Sequence, residues 1–156
     1  MSKRFLLVAF ALLAATAFAT GCGGGDDETT DGGGALTKSE FIEEADAICE
    51  KGDAAIAEGA DEYAEDNDVD VEKPTKAQQE GVIVDVVAPG IRGQGEEIDE
   101  LEAPAGDEEE IEAMLDALET GADELESDPA QLLEGKNPLA QGSKLASEYG
   151  LKSCGG

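Results

Sequence analysis

The sequence predicts an all-α fold: a small bundle of about four helices, one of them kinked at Pro89, the whole stapled by a disulfide. Three observations carry that expectation. Four segments repeat their apolar residues at spacings of three and four, three of them open on helix-start signals, and an even pair of cysteines, Cys49 and Cys154, brackets most of the region. The run Val82 to Val87 has the composition of a strand, but a single strand without a partner is not stable.

The chain opens on a secretory signal over residues 1–21. Lys3 and Arg4 form its basic start, Phe5 to Ala19 its apolar stretch, and Ala19, Thr20 and Gly21 stand directly before Cys22. That ending resembles the lipobox of bacterial lipoproteins, which implies that Cys22 carries a thioether-linked diacylglycerol and becomes the first residue of the mature protein. A bulkier aliphatic residue is commoner where Ala19 sits, so slower cleavage is expected. A transmembrane anchor is the rival reading. The apolar stretch reaches only about 22 Å as a helix, however, against a hydrocarbon core of roughly 30 Å. The expectation is therefore a protein held on the extracytoplasmic face of the cell membrane by two acyl chains, the number that makes anchoring stable. Residues 22–35 follow as a linker. Gly23 to Gly34 contains only Gly, Asp, Glu and Thr, and a coil of that length spans about 20 Å.

Residues 36–156 form the helical domain. Thr37 and Glu40 make a capping box ahead of Phe41, Ala45, Ile48, Cys49, Gly52, Ile56, Ala60 and Tyr63, which fall on one helical face. Asp66 to Lys73 is a polar break. Pro74 and Thr75, with Gln78 as the reciprocal cap, open a second helix whose apolar set is Val82, Ile83, Val86, Val87, Ile91, Ile98 and Leu101. Pro89 falls inside it, and a kink or a division into two shorter helices is expected there. After a turn at Ala103 to Gly106, Asp107 and Glu110 predict the cap of a third helix with Ile111, Met114, Leu115, Leu118, Ala122 and Leu125 on its face. Asp128 and Pro129 stop that helix and start a short turn through Leu133. Asn137 and Pro138 open the last helix, which carries Leu139, Leu145, Ala146 and Tyr149, and Gly150 fits a left-handed cap with Leu151 folding back.

Charge excludes several partners. Of ten basic residues two leave with the signal, while all 38 acidic ones stay, so the mature chain carries a formal charge of −30. Nucleic acid, whose binding depends on Lys and Arg neutralising phosphates, is not an expected partner, and the domain is not expected to lie flat on anionic lipid. High charge with few aromatics is also a signature of disorder, against which the helical periodicity stands. With Cys22 consumed by lipid, an oxidising compartment favours joining Cys49 to Cys154 across 105 residues, worth up to about 4.7 kcal/mol in the chain-entropy model.

With these residues in view, the chain resembles a family of small helical lipoproteins of actinobacteria. The likeness rests on Phe41, Ile42, Ala45, Asp46, Ile48 and Cys49; on Pro89, Ile91, Leu101 and Pro104; and on Tyr149, Gly150, Leu151 and Cys154. It spans nearly the whole mature domain. It implies a fold and an address and lends no catalytic residue.

Chemistry is sparse. The sequence has no histidine, which removes Ser-His and Cys-His pairs and His-containing metal sites. Ser2, Ser39, Ser127, Ser143, Ser147 and Ser153 lie in the signal or near helix ends and loops, and none sits in a nucleophile elbow. Gly90, Gly93 and Gly95 do not follow a strand, so no dinucleotide site is indicated and no cofactor is expected. Carboxylate pairs such as Glu43 and Glu44, or Glu108 to Glu110, are what a solvated helix face looks like. Asp66, Asp68 and Asp70 match the first ligands of an EF-hand loop, but Val71 stands where glycine is required and Ala77 where a glutamate should close the site, leaving at most a weak cation contact. The expected role is a non-catalytic binding or interaction module of the envelope, meeting a protein, peptide or cationic ligand. An acidic cation-binding or buffering lipoprotein ranks second, and an enzyme well behind.

Overall fold

Two helix starts follow from reciprocal capping. The Thr37 hydroxyl accepts the Glu40 N–H at 3.3 Å and the Glu40 carboxylate accepts the Thr37 N–H at 2.9 Å, which begins α1 (Lys38–Asp66). The Thr37 hydroxyl, then its N–H, hold the Glu40 carboxyl below its ordinary value. Thr75 and Gln78 make the same pair, at 3.3 and 2.9 Å, at the start of α2 (Lys76–Val82). The structure is a computed structural model that describes residues 35–154, so the signal, Cys22 and the linker through residue 34 lie outside the described residues.

The helix containing Pro89 does not divide. α2 runs through a π turn, Ile83–Val87, into α3 (Ala88–Asp99), giving one continuous helical stretch over residues 76–99. Proline lacks an N–H and its ring crowds the carbonyl four residues back, and a wider turn just ahead of it relieves both problems. The Ala88 N–H accordingly reaches back five residues to the Ile83 carbonyl. The irregularity expected at Pro89 thus takes the form of a π turn.

α4 (Glu108–Ser127) buries Ile111, Met114, Leu118, Ala122 and Leu125, every residue of its expected face but the half-buried Leu115. A single turn, α5 (Ala130–Leu133), follows Pro129. The last helix, α6 (Ala140–Tyr149), begins later than its start signal suggests, because Asn137 accepts the Leu139 N–H through its side chain at 3.1 Å and holds that stretch as a turn. Among the described residues all regular structure is helical.

Packing centres on α4, which meets α3 on one side and α6 on the other, while α3 also packs on α1. The main core joins Phe41, Ala45 and Cys49 of α1 to Ile98 of α3 and to Met114 and Leu118 of α4, with Ala146, Tyr149 and Leu151 closing it. A smaller cluster forms around Ile83, Ala88 and Leu125. The turn before α6 can reach α4 only because residue 121 has no side chain: a Cβ on Gly121 would lie 2.8 Å from the Pro138 carbonyl oxygen.

The C-terminal end is tied to α1 in three ways. Gly150, at φ +120°, ends α6 in a conformation that side chains disfavour, and the Leu151 N–H turns back to the Ala146 carbonyl at 3.0 Å, leaving Leu151 buried. One carboxylate oxygen of Asp46 then accepts the N–H groups of both Lys152 and Ser153, each at 2.8 Å. Cys154 is joined to Cys49, with the Cα atoms 5.3 Å apart.

The expected cap at Asp107 is not made. Asp107 does precede α4, yet its side chain makes no capping hydrogen bond. Its carboxylate instead accepts the Tyr149 hydroxyl at 2.9 Å and pairs with Lys38 at 3.4 Å, while the Lys38 ammonium sits 3.7 Å from the centre of the Tyr149 ring. Tyr149 also meets Phe41 edge-on, ring centres 5.8 Å apart. One polar trio therefore connects the beginning of α1, the beginning of α4 and the end of α6, a tertiary use that outcompetes a local cap.

Cys154→Ser and Cys49→Ala should each destabilise the domain by about 2–5 kcal/mol, with the double variant no worse than the more damaging single one, as read by thermal or urea unfolding. Free thiols at both positions in protein isolated without reductant, or single variants as stable as the parent, would refute the staple. Burial, then the neighbouring Asp107 carboxylate, raises the Tyr149 phenol above its ordinary value of 10.0. A raised value means that the folded state keeps a proton which the unfolded chain releases, so this contribution is full below pH 10.0 and falls as pH rises above it. Tyr149→Phe should cost about 1–2 kcal/mol at neutral pH, and the gap between variant and parent should narrow in unfolding measurements above that pH.

Candidate functional site

The described surface includes an apolar-floored cleft with a mainly acidic rim. It lies between α3 and α4 and has a volume of about 300 Å³. Residues four apart on a helix share a face, so Ile91, Gly95 and Asp99 of α3 line up along one wall, while Glu112 and Asp116, with Leu115 and Glu119, line up along the other. Ile91, Leu115 and Leu118 make the apolar floor. A Cβ on Gly95 would meet nothing within 4 Å, so that position simply leaves the cleft open.

Glu96, Asp99, Glu112, Asp116 and Glu119 form the rim, and among the described residues none of the five makes an ion pair. Arg92 also borders the cleft, but its guanidinium is engaged by Asp123 at 2.8 Å and Glu126 at 3.0 Å, neither of which lines it. Those two hydrogen bonds, Asp123 first, push Arg92 further above its ordinary value and hold one end of the guanidinium toward α4. What remains is a negative rim over a greasy floor, suited to a positive group with apolar surface and hostile to an anion.

The three aspartates of the polar break are not gathered. Asp66 is the last residue of α1, Asp68 adopts a left-handed φ of +50°, and Asp70 turns its carboxylate back to the Glu72 N–H at 3.1 Å. Val71, where an EF-hand loop would need glycine, is 73% exposed. Among the described residues no group of three His, Cys, Asp or Glu side chains is placed to hold a metal ion. The polar trio of Lys38, Asp107 and Tyr149 joins α1, α4 and α6, and burial, then Asp107, pushes its phenol upward. Cys49 and Cys154 are brought together, and Cys22 lies outside the described residues.

Sequence reasoning missed the cleft because its walls look like ordinary solvated helix faces. The signal that could have found it is Gly95 flanked at helical spacing by Ile91 and Asp99, a gap in an otherwise filled stripe. Asp46 was also legible only as part of a motif; nothing local says that it collects two N–H groups from residues 152 and 153.

Calorimetric titration of the protein with calcium should show no heat or millimolar binding only. A micromolar site lost in Asp68→Ala would mean that the loop gathers its carboxylates on meeting the ion. No protein-family model, curated protein or solved structure matches the chain.

Proposed function

We propose that the protein is a lipid-anchored, non-catalytic binding module on the extracytoplasmic face of the cell membrane, tethered through Cys22, and that its α3–α4 cleft receives a cationic group of its partner. The observation that carries this reading is the rim of five unpaired carboxylates around the floor of Ile91, Leu115 and Leu118. A lone carboxylate on a helix face gains little from a passing cation, but several around a partly desolvated floor reinforce one another. The tether follows from the lipobox resemblance at Ala19 to Cys22, and the linker's length lets the domain stand off the membrane surface.

Cys22→Ala should abolish lipid labelling and release or misprocess the protein; retention of an unlipidated parent would sink the address. A photo-crosslinking residue at Gly95 in the lipidated protein, in its native envelope, should capture a partner in a way that fades at about 0.5 M salt, where the Debye length falls to a few ångströms. Capture should also fall in Glu112→Gln with Asp116→Asn. Capture indifferent to both salt and these substitutions would overturn the cleft reading.

A further inference from the structure

The last turn of the chain is held on α1 by contacts that do not depend on the disulfide. Leu151 is buried, and its N–H turns back to the Ala146 carbonyl at 3.0 Å. One Asp46 carboxylate oxygen accepts the Lys152 and Ser153 N–H groups, each at 2.8 Å, and the Ser153 hydroxyl donates to the Glu50 carboxylate at 3.1 Å. Asp46, Cys49 and Glu50 are three and four residues apart on α1 and so share one face. The side chains that grip residues 152 and 153 therefore flank the cysteine that meets Cys154. The Cys154 sulfur also lies 3.5 Å from the Ala45 carbonyl oxygen, an acceptor within reach of a thiol at that position. A partly open space of about 160 Å³, lined by both cysteines and by the polar side chains of Asp53, Gln94, Ser143 and Ser153, borders the bond. Cys154 is half-buried, whereas Cys49 is buried.

We infer that these contacts form a clasp, centred on Asp46, which docks residues 151–153 on α1 before the bond closes and keeps them there after it opens, so that Cys49 and Cys154 work as a reversible redox couple inside a folded bundle. Asp46 is then a positioning residue for the bond. A disulfide stabilises mainly by restricting the unfolded chain, so opening it leaves the native contacts of the clasp in place. Two charge-assisted hydrogen bonds to one carboxylate hold the docked geometry, and thiols kept side by side react as if highly concentrated. Reduction by a small-molecule thiol balances as two exchanges. The incoming thiolate attacks Sγ of Cys154, the less buried of the pair, and the electrons of the S–S bond leave on Cys49, which takes a proton from water. A second thiolate attacks the small-molecule sulfur of the mixed disulfide, so that Cys154 leaves as a thiolate and is protonated in turn, while the oxidised small disulfide departs. The Ala45 carbonyl then accepts the Cys154 thiol. Reoxidation is the reverse, with the small disulfide as oxidant.

The test places the purified full-length protein in buffers of graded reduced and oxidised glutathione and measures the fraction of bonded Cys49 and Cys154 by thiol alkylation and mass spectrometry. Asp46→Ala should lower the equilibrium constant for bond formation at least about tenfold, because two hydrogen bonds to a charged acceptor are lost. Asp46→Asn, which keeps an acceptor oxygen, should restore part of that loss. Glu50→Gln, which removes a charge from the same face yet keeps an acceptor for the Ser153 hydroxyl, should change the constant far less. A second readout is NMR of Cys49→Ser, in which the amide signals of Lys152 and Ser153 should keep their positions within a folded bundle and move to random-coil positions when Asp46→Ala is added. If Cys49→Ser does not fold, the reduced parent chain is measured in its place. Loss of helical circular dichroism when the parent is reduced, random-coil amides at residues 152 and 153 in a folded reduced bundle, or an equilibrium constant unmoved by Asp46→Ala would each overturn the clasp.

Discussion

The fold depends on the end of the chain being held against its beginning. Residues 151–154 contribute one buried leucine, two N–H groups and a cysteine, and α1 supplies the matching partners, with Asp46 and Cys49 three residues apart and therefore on one helical face. With that closure made, α6 must end beside the start of α1. α4, which packs on α6, is then positioned to offer Asp107 to Tyr149 and Lys38, and α3 is held between α1 and α4. Without it, four rods rich in Ala and Gly would have little reason to prefer one arrangement. Among the described residues the buried aromatics are Phe41 and Tyr149, and the chain's formal charge of −28 works against compactness.

Much of this was readable before the structure. Helical faces were legible because burial follows a period of three to four residues, and on α4 that pattern marks all its buried side chains save Gly121. The caps at Thr37 and Thr75 were legible because both halves of each box lie within four residues. What escaped was whatever has its partner far along the chain. Asp107 has the right identity and position for a cap, yet a tyrosine hydroxyl 42 residues away and the Lys38 ammonium take its carboxylate. Gln94 reads as a polar surface position and is buried, because α1 approaches α3 so closely at Gly52 that a Cβ there would lie 2.3 Å from the glutamine side chain. The form of the irregularity at Pro89 was also out of reach, since a kink, a break and a π turn share one sequence signal.

The site was the least legible part, and for a physical reason. A cleft is a property of the space between two helices, whereas each wall alone is a set of solvated carboxylates indistinguishable from Glu43 or Glu58 elsewhere. Separation of α3 and α4 at the level of Gly95 converts those faces into a concavity with Ile91 on its floor.

Stability and binding are linked through the same charges. Unpaired carboxylates on facing helices repel one another, so the cleft is a place where folding works against electrostatics and is supported by closure elsewhere. On the proposed function, a cation entering the rim would relieve that repulsion and, by binding the folded state alone, would stabilise the domain by an amount that grows with the logarithm of its concentration above Kd. Dispersed acidity on the other faces would have a different effect: repulsion from anionic headgroups would keep the domain off the membrane to which the proposed lipid at Cys22 would tie it. A strong negative charge is then compatible with the proposed tether, which would supply proximity while the charge would leave the cleft open to a positive partner approaching from the aqueous side.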